Sequence, residues 1–141
     1  MTAMKTFAIG IVLGFAALSA QAELVVIVNP KNPAASMSAD QVAQVFLGRS
    51  ASFPGGGAAA PVDQKEGTAL RDEFYTKVAD KNPGQVKAFW AKQMFSGKGQ
   101  PPKELASSAD VKKAVAADPG AIGYIEKGAL DGTVKSVLSI P

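Results

Sequence analysis

The 141-residue chain has no cysteine, no histidine, one tryptophan and two tyrosines. Without cysteine there is no disulfide framework, no thiol chemistry and no thiolate set for structural zinc. Without histidine there is no imidazole to serve as general base, phosphate ligand or metal ligand, and most hydrolase triads are removed. Catalysis by Asp, Glu, Lys or Tyr stays chemically open, but nothing in the pattern favours it, so a non-enzymatic protein without metal or cofactor is expected. Charge is not sorted into blocks either. Lysines and acids alternate around a net charge of +3, so the basic patch with interleaved aromatics of a nucleic-acid surface is missing. The mild positive excess is compatible with small anions as ligands.

The one long apolar stretch lies at the start. Lys5 supplies a positive charge, Phe7–Leu18 is apolar, and Ala20-Gln21-Ala22 has the A-x-A form of a cleavage site. The run falls short of the roughly 20 residues that span a bilayer. Residues 1–22 are therefore expected to be a signal peptide cleaved after Ala22, leaving residues 23–141 in the periplasm. A chain of that size suits a single domain with one core.

Along that domain, Leu24–Val28 is an apolar β-rich run closed by Asn29-Pro-Lys-Asn-Pro33, and its continuous apolarity predicts a strand covered on both faces. Ser38 and Gln41 have capping-box spacing, and the helix they open buries Val42, Val45 and Phe46 before stopping near Gly48. Ala51–Pro61, with Gly55-Gly-Gly57 followed by Ala58-Ala-Ala60, reads as a mobile surface loop or a docking loop; it lacks the Lys-Ser or Lys-Thr of a phosphate loop. Pro61-Val-Asp63 ends a short strand, and a helix follows from Thr68 to about Lys81. Asn82-Pro-Gly84 reads as a break, after which Gln85–Phe95 forms a helix with Val86, Phe89, Trp90 and Met94 inward. Ser107 caps a further helix that stops at Asp118-Pro-Gly120, followed by strands at Ala121–Ile125 and Val134–Ile140. Helices between strands predict an α/β domain with a small sheet.

Candidate binding residues gather at two places. A helix N-terminus exposes unpaired N–H groups, and Glu66-Gly67-Thr68 sits at one. Thr68 either donates to an oxyanion or caps its own helix. Arg71, a cation in the first turn, pairs either with a bound anion or with neighbouring acids at the surface. Asp63 and Glu66 would repel an anion unless one of them is protonated or accepts from the ligand. They are otherwise turn or surface chemistry, and with Asp72 they are too irregular for a calcium loop. Gly123 either admits a ligand close to the backbone or belongs to the strand. Tyr124 presents its hydroxyl to a cleft or packs across the sheet.

Val45-Phe46-Leu47-Gly48, the strand–turn–helix Val62–Thr68, Phe74-Tyr75 and Pro119-Gly-Ala-Ile-Gly-Tyr124 together resemble the phosphate-type periplasmic substrate-binding proteins of ABC importers. The resemblance covers nearly all of Leu24–Ile125. It implies a type II periplasmic-binding-protein-like single lobe, a small mixed sheet flanked by helices. It also implies a non-enzymatic solute-binding ancestry. By the family pattern, the turn before the helix contributes to an oxyanion site, and with the two places named above the candidate ligand-binding residues are Asp63, Gln64, Glu66, Gly67, Thr68, Arg71, Gly123 and Tyr124. Two departures stand out. Glu66 occupies the family's serine position and Gln64 falls near its arginine, replacing a hydroxyl donor with negative charge. Family receptors close two lobes around the ligand, and this length provides about one. The expected partners are a small oxyanion, an ABC transporter or another periplasmic protein, and a second copy in a homodimer, with no nucleic acid. The alternative is a periplasmic interaction or adaptor module that has lost small-anion binding.

Overall fold

The computed structural model describes residues 23–141, and the expected signal at residues 1–22 lies outside them. In chain order the elements are β1 (Leu24–Val28), α1 (Ala39–Phe46), β2 (Ala60–Gln64), α2 (Ala69–Ala79), α3 (Pro83–Phe95), β3 (Lys103–Leu105), α4 (Ser108–Ala117), β4 (Ala121–Glu126) and β5 (Lys135–Ile140), with a short 3-10 turn before β5. They build an α/β lobe around one mixed five-stranded sheet of order β3-β2-β4-β1-β5. β1 is antiparallel to both its neighbours, β4 and β5, while β2 runs parallel to β4 and β3.

β1 is buried along its whole length because it has a strand on each side and helices on both faces. Its alternating side chains divide the core in two. Leu24, Val26 and Val28, with Ile122 and Tyr124 of β4, face α1, α2 and the Val86 and Trp90 side of α3. Val25 and Ile27, with Ala121 and Ile125, face Val111 and Val115 of α4. Asn29, just past β1, ties that second layer down by donating from Nδ2 to the carbonyls of Val115 and Ala116, each at 3.0 Å. Those carbonyls belong to the last turn of α4, where the Val115 carbonyl also accepts from the C-cap Asp118 N–H at 3.4 Å.

The capping box of α1 forms as expected: Gln41 N donates to Ser38 Oγ and Ser38 N to Gln41 Oε1. Ser107 likewise caps α4 through Asp110 N. Three expectations change. Asn82-Pro-Gly84 starts α3 instead of merely breaking the chain, because Asn82 and Gln85 form a second capping box and Pro83 needs no N–H at the first helical position. The inner face of α3 is narrower than its sequence implies, with Met94 51 % exposed and the adjacent Phe95 97 % exposed. The 51–61 segment is not a free loop. Ser52 bridges Ala58, Phe53 N donates to the Gly57 carbonyl at 2.9 Å, and the Phe53 ring is buried.

Candidate functional site

The corner where β2 hands over to α2 gathers most of the candidate residues, and Asp63 is its buried floor. Asp63 is 1 % exposed, which corrects the reading of this residue as turn or surface chemistry. A buried carboxylate needs donors, and four groups meet it. Tyr124 of β4 donates its hydroxyl to Oδ1, Gln64 N–H donates to the same oxygen at 2.8 Å, and Tyr75 of α2 donates to Oδ2 at 2.5 Å. Arg71 Nη1 stands 3.8 Å from Oδ2. Burial pushes the Asp63 carboxyl above the ordinary aspartate range, opposed by the Tyr124 and Tyr75 hydrogen bonds and by the Arg71 charge. Burial and the facing Asp63 charge raise both tyrosine hydroxyls, so they remain donors.

The rings that bring these hydroxyls to Asp63 are fixed by packing. Phe74 stacks on Tyr124 with centroids 3.9 Å apart and planes 5° apart, and Phe46 meets both edge-on. The Tyr124 ring is thus core while its hydroxyl is spent on Asp63. Gln64 is equally committed: Nε2 donates to Ser108 Oγ at 2.9 Å and to the Tyr124 carbonyl at 3.0 Å. Gly123 lies on the opposite sheet face, away from the corner. A Cβ there would come within 2.5 Å of Val111 Cγ1 and 3.1 Å of Val62 Cγ2, so the space a ligand would need is filled by α4 and β2.

Arg71 links floor and rim. Its side chain is only 12 % exposed, correcting the expectation of a solvent-facing ion pair. Nη1 donates to the Gln64 carbonyl at 3.1 Å and to Glu104 Oε1 at 2.6 Å, and the guanidinium lies over the Tyr75 ring. Burial is the largest single influence and works to lower its pKa, but the groups facing it, Asp63 first and then Tyr75, Tyr124 and Glu104, together outweigh burial and raise it. Glu104 Oε1 also accepts from Glu66 N–H at 2.8 Å. One carboxylate oxygen from β3 therefore sits between the turn amide and the guanidinium, the two kinds of donor that recognise an oxyanion.

The turn itself is simple. Gly67 has φ of 91°, a conformation that side-chain-bearing residues rarely adopt. Thr68 takes the N-cap position of α2 without capping it. Its hydroxyl donates back to the Lys65 carbonyl at 2.9 Å, so it neither bonds the helix N–H groups nor points free. The side chains of Glu66 and Asp72 make no ion pair among the described residues. Asp63 and Glu66 border the same groove, but the Asp63 carboxylate is held by Tyr124, Tyr75 and the Gln64 N–H, and among the described residues no cluster of three His, Cys, Asp or Glu can hold a metal.

Beside the corner runs a groove of about 260 Å³, lined by Asp63, Glu66, Arg71, Asp72, Tyr75 and Glu104 of the corner together with Val86, Lys87, Trp90, Met94, Pro101 and Pro102. Sequence reasoning missed Tyr75 and Glu104 as members of this site. Tyr75 has a usable signal, since it stands one helical turn beyond Arg71. Glu104 has none: it lies 33 residues from Arg71, in a strand of three residues.

No family model matches the chain, and no curated protein matches it. Solved structures do. An ABC-type phosphate transport receptor from Vibrio cholerae superposes with a TM-score of 0.65 at 18 % identity, covering 82 % of this chain and 46 % of that one. A Clostridium perfringens protein assigned as a phosphate ABC-transporter substrate-binding protein, solved with bound phosphate, gives 0.63 at 22 %, covering 82 % and 45 %. PstS from Borrelia burgdorferi gives 0.60 at 12 %, covering 82 % and 47 %. At these identities the likeness is one of fold: the lobe has the type II periplasmic-binding-protein-like arrangement. The chain spans less than half the length of each of these three structures.

Proposed function

We propose that this chain is an exported, non-enzymatic binding domain of the solute-binding-protein type, with residues 1–22 as its cleaved signal and the Gln64–Arg71 corner as its binding edge. The ligand class is a small oxyanion or carboxylate, phosphate being the one named for its structural neighbours. The observation that carries this reading is Glu104. Its carboxylate oxygen is held at 2.8 Å by Glu66 N–H and at 2.6 Å by Arg71, so the corner already holds an anion, and that anion is its own side chain. A free ligand must displace Glu104 while Glu66 and Asp72 repel it, which makes the resting lobe a weak binder.

The test is calorimetric titration of phosphate and sulfate, at fixed ionic strength, into the wild-type protein and Glu104→Ala. The reading expects at least about tenfold tighter binding by the variant, equivalent to about 1.4 kcal/mol. Heat that never saturates in either protein, both being folded, contradicts it. That outcome favours the second reading, a periplasmic interaction module, whose supporting observation is the apolar wall of the groove beside the corner.

A further inference from the structure

The anion that the corner donors hold in this structure is a carboxylate. Glu104 Oε1 accepts both from Glu66 N–H at 2.8 Å and from Arg71 Nη1 at 2.6 Å, so a single carboxylate oxygen satisfies the two. The Glu104 side chain is 45 % exposed, and water is at hand to receive it when another carboxylate takes its place. The space next to these donors is largely apolar. The groove that Glu66, Arg71 and Glu104 border is also lined by Pro83, Val86, Trp90, Met94, Pro101 and Pro102. Trp90 is fixed in the core and the prolines have restricted backbones, so much of this lining is formed before a ligand arrives. An inorganic oxyanion at the donors leaves that surface unused. Charge discriminates further. Four acidic side chains line the groove, Asp63, Glu66, Asp72 and Glu104, against the two cations Arg71 and Lys87. Repulsion scales with the ligand's charge, so a monocarboxylate meets about half the repulsion met by a dianion such as sulfate.

We infer that the preferred ligand is a monocarboxylate with a compact apolar body, such as an aromatic acid; this rests on the binding reading above and narrows its ligand class. The ligand carboxylate replaces that of Glu104 on Glu66 N–H and Arg71, and the apolar body lies in the groove against Trp90, Met94 and the prolines. The donors then set orientation and the apolar lining supplies most of the affinity, the usual division of labour in a small-molecule site. Size agrees: the groove, at about 260 Å³, falls just under the roughly 300 Å³ at which ligand pockets commonly begin, which suits one ring better than a long chain.

The test is calorimetric titration of phenylacetate, acetate and phosphate, at fixed ionic strength, into Glu104→Ala, where the donors are released. Phenylacetate is expected to bind at least about tenfold tighter than acetate or phosphate. The chain's single tryptophan, Trp90, lines the groove, so phenylacetate is also expected to shift its fluorescence while acetate leaves it nearly unchanged. Ala91→Gln, added to Glu104→Ala, places a longer neutral side chain in the groove from an exposed helical position. It is expected to remove the phenylacetate advantage and to leave phosphate binding within about twofold, with circular dichroism unchanged. Saturable phosphate binding with phenylacetate no tighter than acetate overturns the inference and leaves the binding reading standing. A phenylacetate advantage that survives Ala91→Gln overturns it as well, since the ring would lie elsewhere. Titrations in which none of the three ligands saturates overturn the inference together with the reading on which it rests.

Discussion

Arg71 stands between two carboxylates that live in different regions of the molecule. Asp63, below it, is almost sealed from water and is met by two tyrosine hydroxyls, a backbone N–H and the guanidinium. Glu104, above it, is 45 % exposed and rests on one backbone N–H and the same guanidinium. The floor is a closed polar network inside an aromatic core, and removing any member strands the rest. The rim is open, its contacts are replaceable by solvent or ligand, and charges beside it remain unpaired. Burial thus separates architecture from binding capacity at a corner where residue types alone look alike.

The sharpest way to break that contrast is Asp63→Ala. It takes the acceptor of two tyrosine hydroxyls and the Gln64 N–H and removes a carboxylate from beside Arg71, and is expected to cost about 3–5 kcal/mol, read as a lowered urea midpoint. A loss below about 1 kcal/mol would place Asp63 with the rim. Gly123→Ala comes next. Its new Cβ would sit 2.5 Å from Val111 Cγ1, and a β-branched side chain on a helix has little freedom to yield. Overpacking of about 1–3 kcal/mol is expected, and a neutral result would mean that α4 shifts freely.

A smaller effect concerns pH. Burial raises the folded Asp63 pKa above its unfolded value, about 3.9. Between the two values the folded chain holds more protons than the unfolded one, so the Asp63 contribution falls as pH rises through that window. The exposed Asp131, lowered to about 2 by its Thr133 and Lys112 hydrogen bonds, contributes the opposite slope. It cancels when wild type is compared with Asp63→Asn. Wild-type stability relative to that variant should decline from about pH 4 upward; a rising difference would mean that the hydrogen bonds outweigh burial. Smallest of all is Glu104→Ala, whose exposed pair should change stability by less than about 1 kcal/mol. A larger loss would make Glu104 part of the floor.

The same contrast explains what was legible in the sequence. β1, α1 with its Ser38–Gln41 box, α4 with its Ser107 cap and the glycine-interrupted β4 follow from local rules of apolar period and capping. Pro83-Gly84 misleads because a proline that ends one helix also suits the first turn of the next. β3, three residues long with two of them charged, carries no period at all. The burial of Asp63 was illegible for a different reason: Tyr124, which satisfies it, lies 61 residues away, and only the pairing of β2 with β4 brings them together. The Glu66-Gly67-Thr68 turn was legible as a turn. That its amide would be taken by Glu104 was not, because the contact crosses 38 residues and an unrecognised strand.

The most direct test of the central claim follows the backbone amide of Glu66 by NMR while phosphate is added at fixed ionic strength. In Glu104→Ala, where that N–H and Arg71 are released, the account predicts saturable shifts centred on Glu66, Gly67 and Arg71, at phosphate concentrations that leave the wild-type amides nearly unmoved. Shifts equally small in both proteins, or scattered over the lysines of α3, would contradict it.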